Sequence, residues 1–569
     1  MEDVVLSFKN FGFQYNAQAD PTLHDISFDL RRGEKILIAG ASGCGKSTLV
    51  HCINGLIPFC YKGEKTGSLT VKGRETSEMS IFELSKSVGT VLQDSDGQFV
   101  GLTVAEDIAF ALENDCVGEP ELHDRVAEAA DLVGIGGHLR KAPAQLSGGQ
   151  KQRVSLAGVM VDDVDIFLFD EPLANLDPAT GKQAVELIDE IQQRTGAAVI
   201  IVEHRLEDAL WRHVDRVVLM DDGRIVADES PDELLSGDLL QKYGIREPLY
   251  ITALKYAGVR IRPEMRPWSI NSIELSEDDR TKLREWFEQR GGAAARPERD
   301  TLLSAKNISF GYDKSRMIIN NITVDIHKDE LTAIVGTNGA GKSTFAKLIC
   351  GFENQNSGCF FLGDTDLKDL SIKERADHIG YVMQNPNQMI SKVMIFDEIA
   401  LGLRKRGISE DVVKEKVEKV LEICGLRPFR KWPVSALSYG QKKRVTIASI
   451  LVLEPDMIIL DEPTAGQDYR HYTDIMEFLL ELKARGITIL LITHDMHLML
   501  EYAERTIVFS DGRIIADSTG DAVLTDRETI KKASLKETSL YALAEKCGIA
   551  DAKGFVKSFI DYEREVFRN

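Results

Sequence analysis

A strand, a glycine-rich loop and the beginning of a helix follow one another in residues 35–48, which read KILIAGASGCGKST. The apolar run at 35–39 has the length of a buried strand, and the pattern G-x-x-x-x-G-K-[ST] comes directly after it. Its glycines allow backbone N–H groups to wrap around phosphates, while Lys46 can neutralise their oxygens and Ser47 can offer a hydroxyl to Mg²⁺. The stretch therefore predicts a phosphate-binding loop between a buried strand and a helix.

A second copy of this arrangement lies in the second half of the chain. Residues 331–344 read LTAIVGTNGAGKST, again with an apolar strand before the loop. Average composition makes one chance match uncommon in a chain of this length, and two matches in the same strand context exclude coincidence. The chain is therefore predicted to be a duplication.

Each half also has an apolar run that stops at two acidic residues, Asp170-Glu171 in the first half and Asp461-Glu462 in the second. A buried strand does not tolerate two neighbouring carboxylates unless they share a cation or a proton. One carboxylate of each pair is therefore expected near Mg²⁺, and the other is expected to face the space beyond the strand.

A glutamine and a histidine follow further short strands in both halves. Gln93 and Gln384 could touch a metal ion or a nucleophilic water, and His204 and His494 come at the ends of other strands. Such residues are more often structural when they occur alone. The glutamines are 291 positions apart and the histidines 290, so the repeated register favours a functional role.

A five-residue motif precedes a predicted helix in each half. It reads LSGGQ at 146–150 and LSYGQ at 437–441. Ser147 and Ser438 stand where a helix N-cap belongs, so helix capping is one interpretation. The same geometry directs free N–H groups and the positive end of the helix dipole outward, which makes an anion site. Both interpretations can hold together.

Apolar periodicity places the remaining elements. The predicted strands are residues 4–15, 26–30, 35–39, 165–169 and 198–202 in the first half, and 331–335, 457–460 and 488–492 in the second. The predicted helices are residues 103–113, 122–133 and 150–160 in the first half, and 396–403, 411–424 and 441–452 in the second.

Composition limits the class of protein. The 569 residues are too many for one hydrophobic core, and no apolar run approaches the ~18 residues that a membrane span needs. The N-terminus lacks the shape of a signal peptide, so a cytoplasmic location is expected. Eight cysteines without a Cys-x-x-Cys pair argue against zinc, an iron–sulfur cluster or a disulfide framework. The formal net charge of −21 disfavours binding to nucleic acid.

Domain boundaries follow from the repeat. We expect domains at 1–235 and 301–520, with appendages at 236–300 and 521–569. The most linker-like stretch is residues 291–297, GGAAARP. Each appendage contains an amphipathic stretch, at 250–259 and at 539–549, which could pack on its own domain or contact the other domain. The sequence leaves both alternatives open.

These motifs resemble those of tandem ABC-type ATPases, and the resemblance covers nearly the whole chain. It implies an α/β fold with two P-loop NTPase nucleotide-binding domains in tandem, each with a small C-terminal appendage, and it implies ATP and Mg²⁺ as cofactors. The residues that it assigns to ATP binding are Tyr15, Gly40, Ser42, Gly43, Gly45, Lys46, Ser47, Thr48, Ser147, Gly148, Gly149, Gln150, Tyr312, Gly336, Asn338, Gly339, Gly341, Lys342, Ser343, Thr344, Ser438, Tyr439, Gly440 and Gln441.

The resemblance assigns further residues to the metal and to catalysis. Those assigned to Mg²⁺ are Ser47, Gln93, Asp170, Ser343, Gln384 and Asp461. Those assigned to catalysis are Glu171, Glu462, His204, His494, Gln93 and Gln384, with the glutamates as general bases. The aspartates of the D-loops, which follow the acidic pairs, are Asp177 and Asp468.

In this family the two domains associate head to tail. Each five-residue signature motif would then close the ATP site of the other half. Both halves keep the lysine, glutamate and histidine, so we predict two hydrolytically competent sites. Tyr439 stands where the first motif has Gly148; tyrosine lacks the conformational freedom of glycine and adds bulk, so the Lys46 site is expected to close differently.

A finer resemblance is to energy-coupling factor transporters, which import vitamins and metal ions. It rests on QDSDGQF at 93–99 and QNPNQM at 384–389, and on the helices that follow at 103–110 and 395–400. In that family a second glutamine begins a helix that lines the groove for a transmembrane subunit. The expected partners are a transmembrane coupling subunit and a substrate-binding subunit, and the expected location is the inner face of the cell membrane.

Two other classes compete with this interpretation. A soluble tandem ABC ATPase that acts on ribosomes or DNA would carry a basic arm, zinc modules or clustered cysteines, which the acidic sequence lacks. A scaffold without hydrolysis is opposed by the intact glutamates. Cys44, inside the first phosphate loop, is interpreted as a tolerated small residue.

Overall fold

The computed structural model of the protein describes residues 3–92, 95–174, 176–290, 299–313, 317–464, 467 and 469–568. The chain divides into two compact units, one of Met1–Trp286 with Asp468–Arg470 and one of Phe287–Gln467 with His471–Asn569. Among the helices in these described ranges, none is both long and apolar enough to cross a membrane.

The first unit alternates strands and helices. Its strands are β1 (Val4–Tyr15), β2 (Leu23–Arg31), β3 (Lys35–Gly40), β4 (Gly63–Val71), β5 (Arg74–Glu75), β6 (Val88–Val91), β7 (Ile166–Asp170), β8 (Ala198–Val202), β9 (Arg216–Asp221) and β10 (Arg224–Glu229). The α-helices that begin in it are α1 (Lys46–Ile53), α2 (Leu56–Phe59), α3 (Ile81–Ser85), α4 (Val104–Asn114), α5 (Glu119–Leu132), α6 (Gly148–Met160), α7 (Pro178–Thr195), α8 (Leu206–Ala209), α9 (Pro231–Ser236), α10 (Leu239–Lys242), α11 (Leu249–Tyr256) and α12 (Glu277–Glu288).

Two sheets form the first unit. One is antiparallel with the order β2-β1-β4-β5, and the other has the order β10-β9-β3-β8-β7-β6. The larger sheet is parallel except for β10, which runs antiparallel to β9. Because β6, β7, β8 and β3 are neighbours, the segments after their carboxyl ends meet at one edge of the sheet, where α/β proteins bind ligands.

Strand β3 is buried on both faces, which explains its uninterrupted apolar sequence. Successive side chains of a strand point to opposite faces. Ile36 and Ile38 accordingly lie in a core shared with the antiparallel sheet and α1. Leu37 and Ala39 lie in a second core shared with α4, α6 and α7. The phosphate loop thus leaves a strand that is fixed from both sides.

The second unit repeats this plan. Its strands are β11 (Thr301–Phe310), β12 (Ile319–His327), β13 (Leu331–Gly336), β14 (Ser357–Leu362), β15 (Thr365–Asp366), β16 (Ile379–Val382), β17 (Met457–Asp461), β18 (Thr488–Ile492), β19 (Arg505–Ser510) and β20 (Arg513–Ser518). Its α-helices are α13 (Lys342–Cys350), α14 (Ile372–His378), α15 (Ile395–Lys405), α16 (Glu410–Ile423), α17 (Tyr439–Leu451), α18 (Tyr469–Ala484), α19 (Met496–Tyr502), α20 (Gly520–Val523), α21 (Arg527–Lys532), α22 (Ser539–Lys546) and α23 (Ala552–Arg568).

The sheets of the second unit have the orders β12-β11-β14-β15 and β16-β17-β18-β13-β19-β20, so each strand has a counterpart in the first unit. The α/β fold and the duplication are therefore confirmed. Most predicted elements agree with the structure to within three residues. Helix α5 begins at Glu119, before the predicted start at residue 122, because Pro120 fits the first turn of a helix. The predicted linker at 291–297 lies outside the described residues.

The amphipathic stretch of the first appendage contacts its own unit, one of the two alternatives that the sequence left open. Tyr250 of α11 is buried, and its hydroxyl donates a hydrogen bond to the Pro267 carbonyl at 2.7 Å. The Leu249 N–H donates to Glu207 Oε2 of α8 at 2.9 Å. These bonds join the appendage to the segment that follows His204.

Candidate functional site

Both phosphate loops hold their lysine in the same way. Lys46 Nζ donates hydrogen bonds to the carbonyls of Gly40 and Ala41 at 2.8 and 2.9 Å. Lys342 makes the two corresponding bonds in its own loop at the same distances. Both lysines are buried, so each ammonium is fixed inside the curve of its loop.

Glycine is required immediately before each loop lysine. Gly45 and Gly341 have φ angles of 104° and 98°, which other residues rarely adopt. A Cβ atom on Gly45 would lie 2.9 Å from Leu23 Cδ2, and one on Gly341 would lie 2.6 Å from Ile319 Cδ1. The end of each phosphate loop is therefore pressed against the antiparallel sheet, and a larger residue does not fit.

The carboxylates and histidines that the sequence singled out stand at the tips of adjacent strands. In the first unit Asp170 pairs in parallel register with Val202 of β8, two residues before His204. Val202 in turn pairs with Ile38 of β3, which leads into the phosphate loop. Three predicted features of the first site thus lie next to one another. The second unit repeats this register, with Asp461 opposite Ile492.

The two predicted general bases share an unusual backbone conformation. Glu171 and Glu462 have φ angles of 46° and 48°, in the left-handed region. The Glu171 N–H donates to the Val202 carbonyl, and the Glu462 N–H donates to the Ile492 carbonyl, both at 2.9 Å. Holding a residue other than glycine in this region costs on the order of 1–3 kcal/mol and is common at functional sites. No local sequence pattern indicated this turn at Glu171 and Glu462.

Glu171 and His204 form a charged contact in the first unit. His204 Nδ1 lies 3.7 Å from Glu171 Oε1 and 3.2 Å from Glu203 Oε1. Burial lowers the pKa of His204, but the carboxylates of Glu203 and Glu171 outweigh burial and raise that pKa above its ordinary value. Burial raises the pKa of Glu171, but the hydrogen bond and charge of His204 outweigh burial, so that pKa is lowered. The pair therefore favours an ionised glutamate beside a protonated histidine.

The surroundings of Asp170 disfavour the ionised form of its carboxyl group. Burial and the neighbouring Glu171 raise the pKa of Asp170 to about 6, while Lys46 lowers it and Glu203 raises it further. A buried carboxyl group of this kind gains free energy from a nearby cation. This is the condition that was predicted for a Mg²⁺ ligand.

The second unit arranges the same groups differently. His494 Nε2 lies 3.1 Å from Glu462 Oε1, but Thr493 stands where the first unit has Glu203. The Tyr381 hydroxyl donates to Asp461 Oδ2 at 2.8 Å. Burial raises the pKa of Glu462, Lys342 opposes this effect and Asp461 adds to it. The surroundings therefore shift the pKa of Glu462 upward, whereas they shift that of Glu171 downward.

Both signature motifs form complete capping boxes. The Ser147 N–H donates to Gln150 Oε1 at 3.0 Å and Ser147 Oγ accepts from the Gln150 N–H at 3.4 Å. Ser438 and Gln441 make the same two bonds at 3.0 and 3.3 Å. The prediction that the serines are N-caps is confirmed. Helices α6 and α17 therefore begin two residues earlier than predicted.

The backbone at Tyr439 does not use the conformational freedom that glycine would provide. Tyr439 and Gly148 are the first residues of α17 and α6, and neither has a positive φ angle. The first position of a helix suits any L-residue, so no conformational freedom is lost there. The difference lies in the side chain, because the Tyr439 hydroxyl donates to the Gln384 carbonyl at 3.3 Å.

The other predicted residues occupy varied surroundings. The Tyr15 hydroxyl lies 3.1 Å from Thr48 Oγ1 in α1, whereas Tyr312 is 60% exposed. Gln384 is exposed in the turn after β16, and Asp177 caps α7 by accepting from the Thr180 N–H at 3.0 Å. Gln93 and Asp468 lie outside the described residues. Of the remaining predicted ligands, Ser47 is exposed and Ser343 is half-buried at the first turn of α1 and α13, respectively.

Sequence reasoning missed three residues beside these sites. They are Glu203, Tyr381 and Lys443. A comparison of the halves at constant offset would have found them, because the other half has Thr493, Thr90 and Gln152 at these positions. Residues that differ between two otherwise matched sites are the signal.

Comparisons with known proteins agree with this architecture. The family model described as ABC transporter matches residues 23–174 and 319–465, and the family described as ATP-binding cassette cobalt transporter matches residues 237–310. A protein of Clostridium perfringens strain 13, assigned as an ABC transporter ATP-binding protein, is 58% identical over 560 residues, which is 98% of both chains. Its counterpart in Enterococcus faecalis strain V583 is 53% identical over 567 residues, which is 100% of both chains.

One solved structure, CbiO1 from Clostridium perfringens, is described as part of the ABC transporter complex CbiONQ. It is 32% identical and covers 41% of this chain and 94% of its own, with a TM-score of 0.39. The family models and the full-length relatives, together with two complete sets of phosphate loop, acidic pair, histidine and signature motif, assign the chain. It belongs to the ABC transporter family and is an ATPase with two ATP-binding cassette domains in one polypeptide.

Proposed function

We propose that this ATPase energises import of a vitamin or a metal ion by an energy-coupling factor transporter. It would bind a transmembrane coupling subunit and, with it, a substrate-binding subunit at the inner face of the membrane. The match of residues 237–310 to a family described as a cobalt transporter supports a metal ion as one candidate solute. Solute choice would belong to the membrane subunits.

The observation that carries this proposal is an exposed aliphatic residue at the same place in both units. Leu102 is 82% exposed just before α4, and Val393 is 74% exposed just before α15. Burial of such a side chain is worth about 1.5–3 kcal/mol, so a fixed exposed pair favours a partner that covers it. An apolar helix of a transmembrane subunit has the matching chemistry.

The backbone around each exposed residue is held rigidly. Asp107 Oδ1 accepts hydrogen bonds from the two residues that precede Leu102, at 2.8 and 3.0 Å. Glu398 Oε2 accepts from the two residues that precede Val393, at 2.8 and 2.6 Å. Rigid presentation lowers the entropy that is lost on binding. The two loops therefore support a docking surface better than a mobile loop would.

The loop after β6 and the corresponding loop after β16 are fastened by different side chains in the two units. Gln98 accepts from the Leu92 N–H at 3.2 Å and donates to the Thr90 carbonyl at 3.1 Å, which fastens the loop to β6. In the second unit Met389 takes this place, and its sulfur lies 3.2 Å from the Met383 nitrogen. This difference supports unequal contacts of the two units with the transmembrane subunit.

The chemistry needs water placed in line with the γ-phosphate and neutralisation of the spreading charge. We assign water activation to Glu171 and Glu462, oriented by His204 and His494. Lys46 and its counterpart Lys342 would contact the β- and γ-phosphates. Each signature motif would complete the ATP site of the other unit through its serine and its helix N-terminus.

The residues at the strand tips fit Mg²⁺. Asp170 is a buried oxygen donor whose pKa is raised by burial and by the neighbouring Glu171, and Ser47 offers a hydroxyl at the start of α1. Hard oxygen donors are the ligands that Mg²⁺ prefers. When bound, the ion supplies charge neutralisation between the phosphate oxygens. Ser343 and Asp461 would hold it in the second unit, with Gln93 and Gln384 as further ligands.

Purification of the tagged chain from membranes of its own host tests the proposal. We expect integral membrane proteins to copurify, and their identity will name the solute. Leu102→Asp and Val393→Asp should each reduce this recovery at least about tenfold, because burial of a charge against an apolar helix is costly. Phe59→Asp, at an exposed apolar residue elsewhere in the first unit, is the control. Equal recovery in all variants, or ribosomal proteins in place of membrane proteins, would contradict the proposed role.

A further inference from the structure

We propose that Tyr439 and Lys443 are positioning residues that tie the turn at Gln384 to the signature helix α17 of the same unit. We call Tyr439, Lys443 and Gln384 together the latch. Because the latch joins a predicted ligand of the second site to a motif that would close the first site, a change at one is transmitted to the other. This inference rests on the proposed assignment of the ATP sites.

The side chains of Tyr439 and Lys443 both donate to the backbone carbonyl of Gln384. Lys443 Nζ donates to the Met383 carbonyl at 3.0 Å and also to the Gln384 carbonyl. The Tyr439 hydroxyl donates to the same Gln384 oxygen at 3.3 Å. Tyr439 and Lys443 lie four positions apart on one face of α17. The turn after β16 is thus fastened to the first two turns of the helix.

The burial of Lys443 argues for a specific role. Its side chain is completely buried in the second unit, although an ammonium loses considerable free energy on leaving water. The charges of Asp461 and Glu462 act on it in the opposite sense to burial and offset part of that cost. A lysine that only filled space would be replaced at little cost by an apolar residue. Its position between the strand-tip acids and the turn at Gln384 indicates that it holds them in one arrangement.

In the first unit the counterparts of Tyr439 and Lys443 are different residues, and Gln93, the counterpart of Gln384, lies outside the residues that the structure describes. Gly148, which corresponds to Tyr439, has no side chain. Gln152, which corresponds to Lys443, donates instead to the Pro172 carbonyl beyond β7. Coupling of this kind is therefore proposed for the second unit, through Tyr439 and Lys443.

Amide hydrogen exchange of the full chain tests the latch directly. In Lys46→Ala, ATP with Mg²⁺ occupies only the loop at Lys342, so a change in exchange at residues 439–447 reports transmission from that loop. We expect ATP to slow exchange at 337–345 and, at least about threefold, at 439–447. The Lys443→Met or Tyr439→Phe substitution is then added to Lys46→Ala. In these double variants ATP should still slow exchange at 337–345 but should no longer slow it at 439–447.

Two further variants separate coupling from structural damage. Lys442→Met places the same substitution one position away and should keep both changes in exchange. Lys443→Arg retains a donor and should restore part of the response at 439–447. An undiminished response at 439–447 in Lys443→Met or Tyr439→Phe, or no response there in Lys46→Ala alone, would overturn the inference. Absence of any ATP effect at 337–345 would count instead against the assigned ATP site.

Discussion

At the scale of single residues, the two ATP sites share their geometry and differ in their charges. Glu171 and Glu462 have the same left-handed backbone conformation. The N–H of each donates to the strand next to it in its own sheet, β8 and β18, respectively. Glu203 adds a second carboxylate beside His204, whereas the second unit has Thr493 at the position of Glu203. The position of the proposed general base is thus repeated, while the pKa of its carboxyl group is shifted in opposite directions in the two units.

Replacement of each general base by glutamine tests these roles. Glu171→Gln and Glu462→Gln keep the size of the side chain but remove the proton acceptor, and general bases contribute about 10²–10⁴-fold to rates. We expect each variant to lose most of the steady-state ATPase activity while ATP still binds. The measurement is phosphate release with saturating ATP and Mg²⁺, alongside a binding titration. Full turnover in either variant would show that its site does not hydrolyse ATP.

The cysteine of the first phosphate loop should be slow to react. Cys44 is buried, and burial raises the pKa of its thiol although Lys46 opposes the effect. Because the thiolate is the reactive form, alkylation at neutral pH should modify the exposed Cys60 and Cys116 well before Cys44. Peptide mass spectrometry over time gives the order. Early modification of Cys44, blocked by ATP, would show that the thiol faces the nucleotide pocket.

At the scale of elements, a half-buried ionic cluster joins three parts of the second unit. Glu504 accepts from both guanidinium nitrogens of Arg299 at 3.0 Å, and Lys483 Nζ of α18 lies 2.8 Å away. The Leu331 N–H of β13 donates to the same carboxylate at 3.2 Å. The segment before β11, the end of α18 and the beginning of the central strand β13 are thereby held together.

This cluster should make stability depend on pH in the acidic range. Burial opposes ionisation, but Arg299 and Lys483 outweigh it and lower the pKa of Glu504 to about 2. A lowered folded-state pKa contributes stability above pH ~4.5 that is lost as the pH falls toward 2. After allowance for partial exposure, Glu504→Gln should cost about 1–2 kcal/mol at pH 7. Thermal unfolding from pH 7 to 3.5 should show the variant and the wild type converging.

A surface pair provides the control for that measurement. Glu75 accepts from Lys65 at 2.8 Å, but the lysine is 40% exposed. Exposed pairs contribute less than about 1 kcal/mol. Glu75→Gln should therefore leave the unfolding temperature nearly unchanged at every pH. A loss as large as that of Glu504→Gln would mean that the cluster around Glu504 has no special effect.

Sequence alone predicted these elements better than the contacts between them. The strands β1 and β8 follow from apolar runs bounded by polar residues, and the N-caps at Ser147 and Ser438 follow from local spacing. The bond from Tyr381 to Asp461 joins residues 80 positions apart, so no local pattern indicates it. Contacts of this kind depend on the strand order, which the sequence did not reveal.

At the scale of the whole molecule, the charge of the chain separates the proposed role from the main alternative. The formal net charge is −21, with 69 basic and 90 acidic residues. Binding to ribosomes or DNA depends largely on lysine and arginine displacing counterions. An acidic protein is repelled by the phosphates of a nucleic acid. The apolar surface of a membrane subunit carries no such charge and does not repel it. The exposed Leu102 and Val393 are consistent with that kind of partner.

Sedimentation with ribosomes should therefore fail to capture the protein. We expect less than about one-tenth of the chain to pellet with purified ribosomes at about 50 mM salt, and no decrease at about 200 mM, because few phosphate contacts are available to be screened. A basic ribosome-binding protein in the same tubes serves as the control and should leave the pellet as salt rises. Binding of this chain that is strong at low salt and lost at high salt would restore the ribosomal alternative. If ATP or the Glu171→Gln substitution also promoted it, the hydrolytic cycle would belong to that alternative role and not to transport.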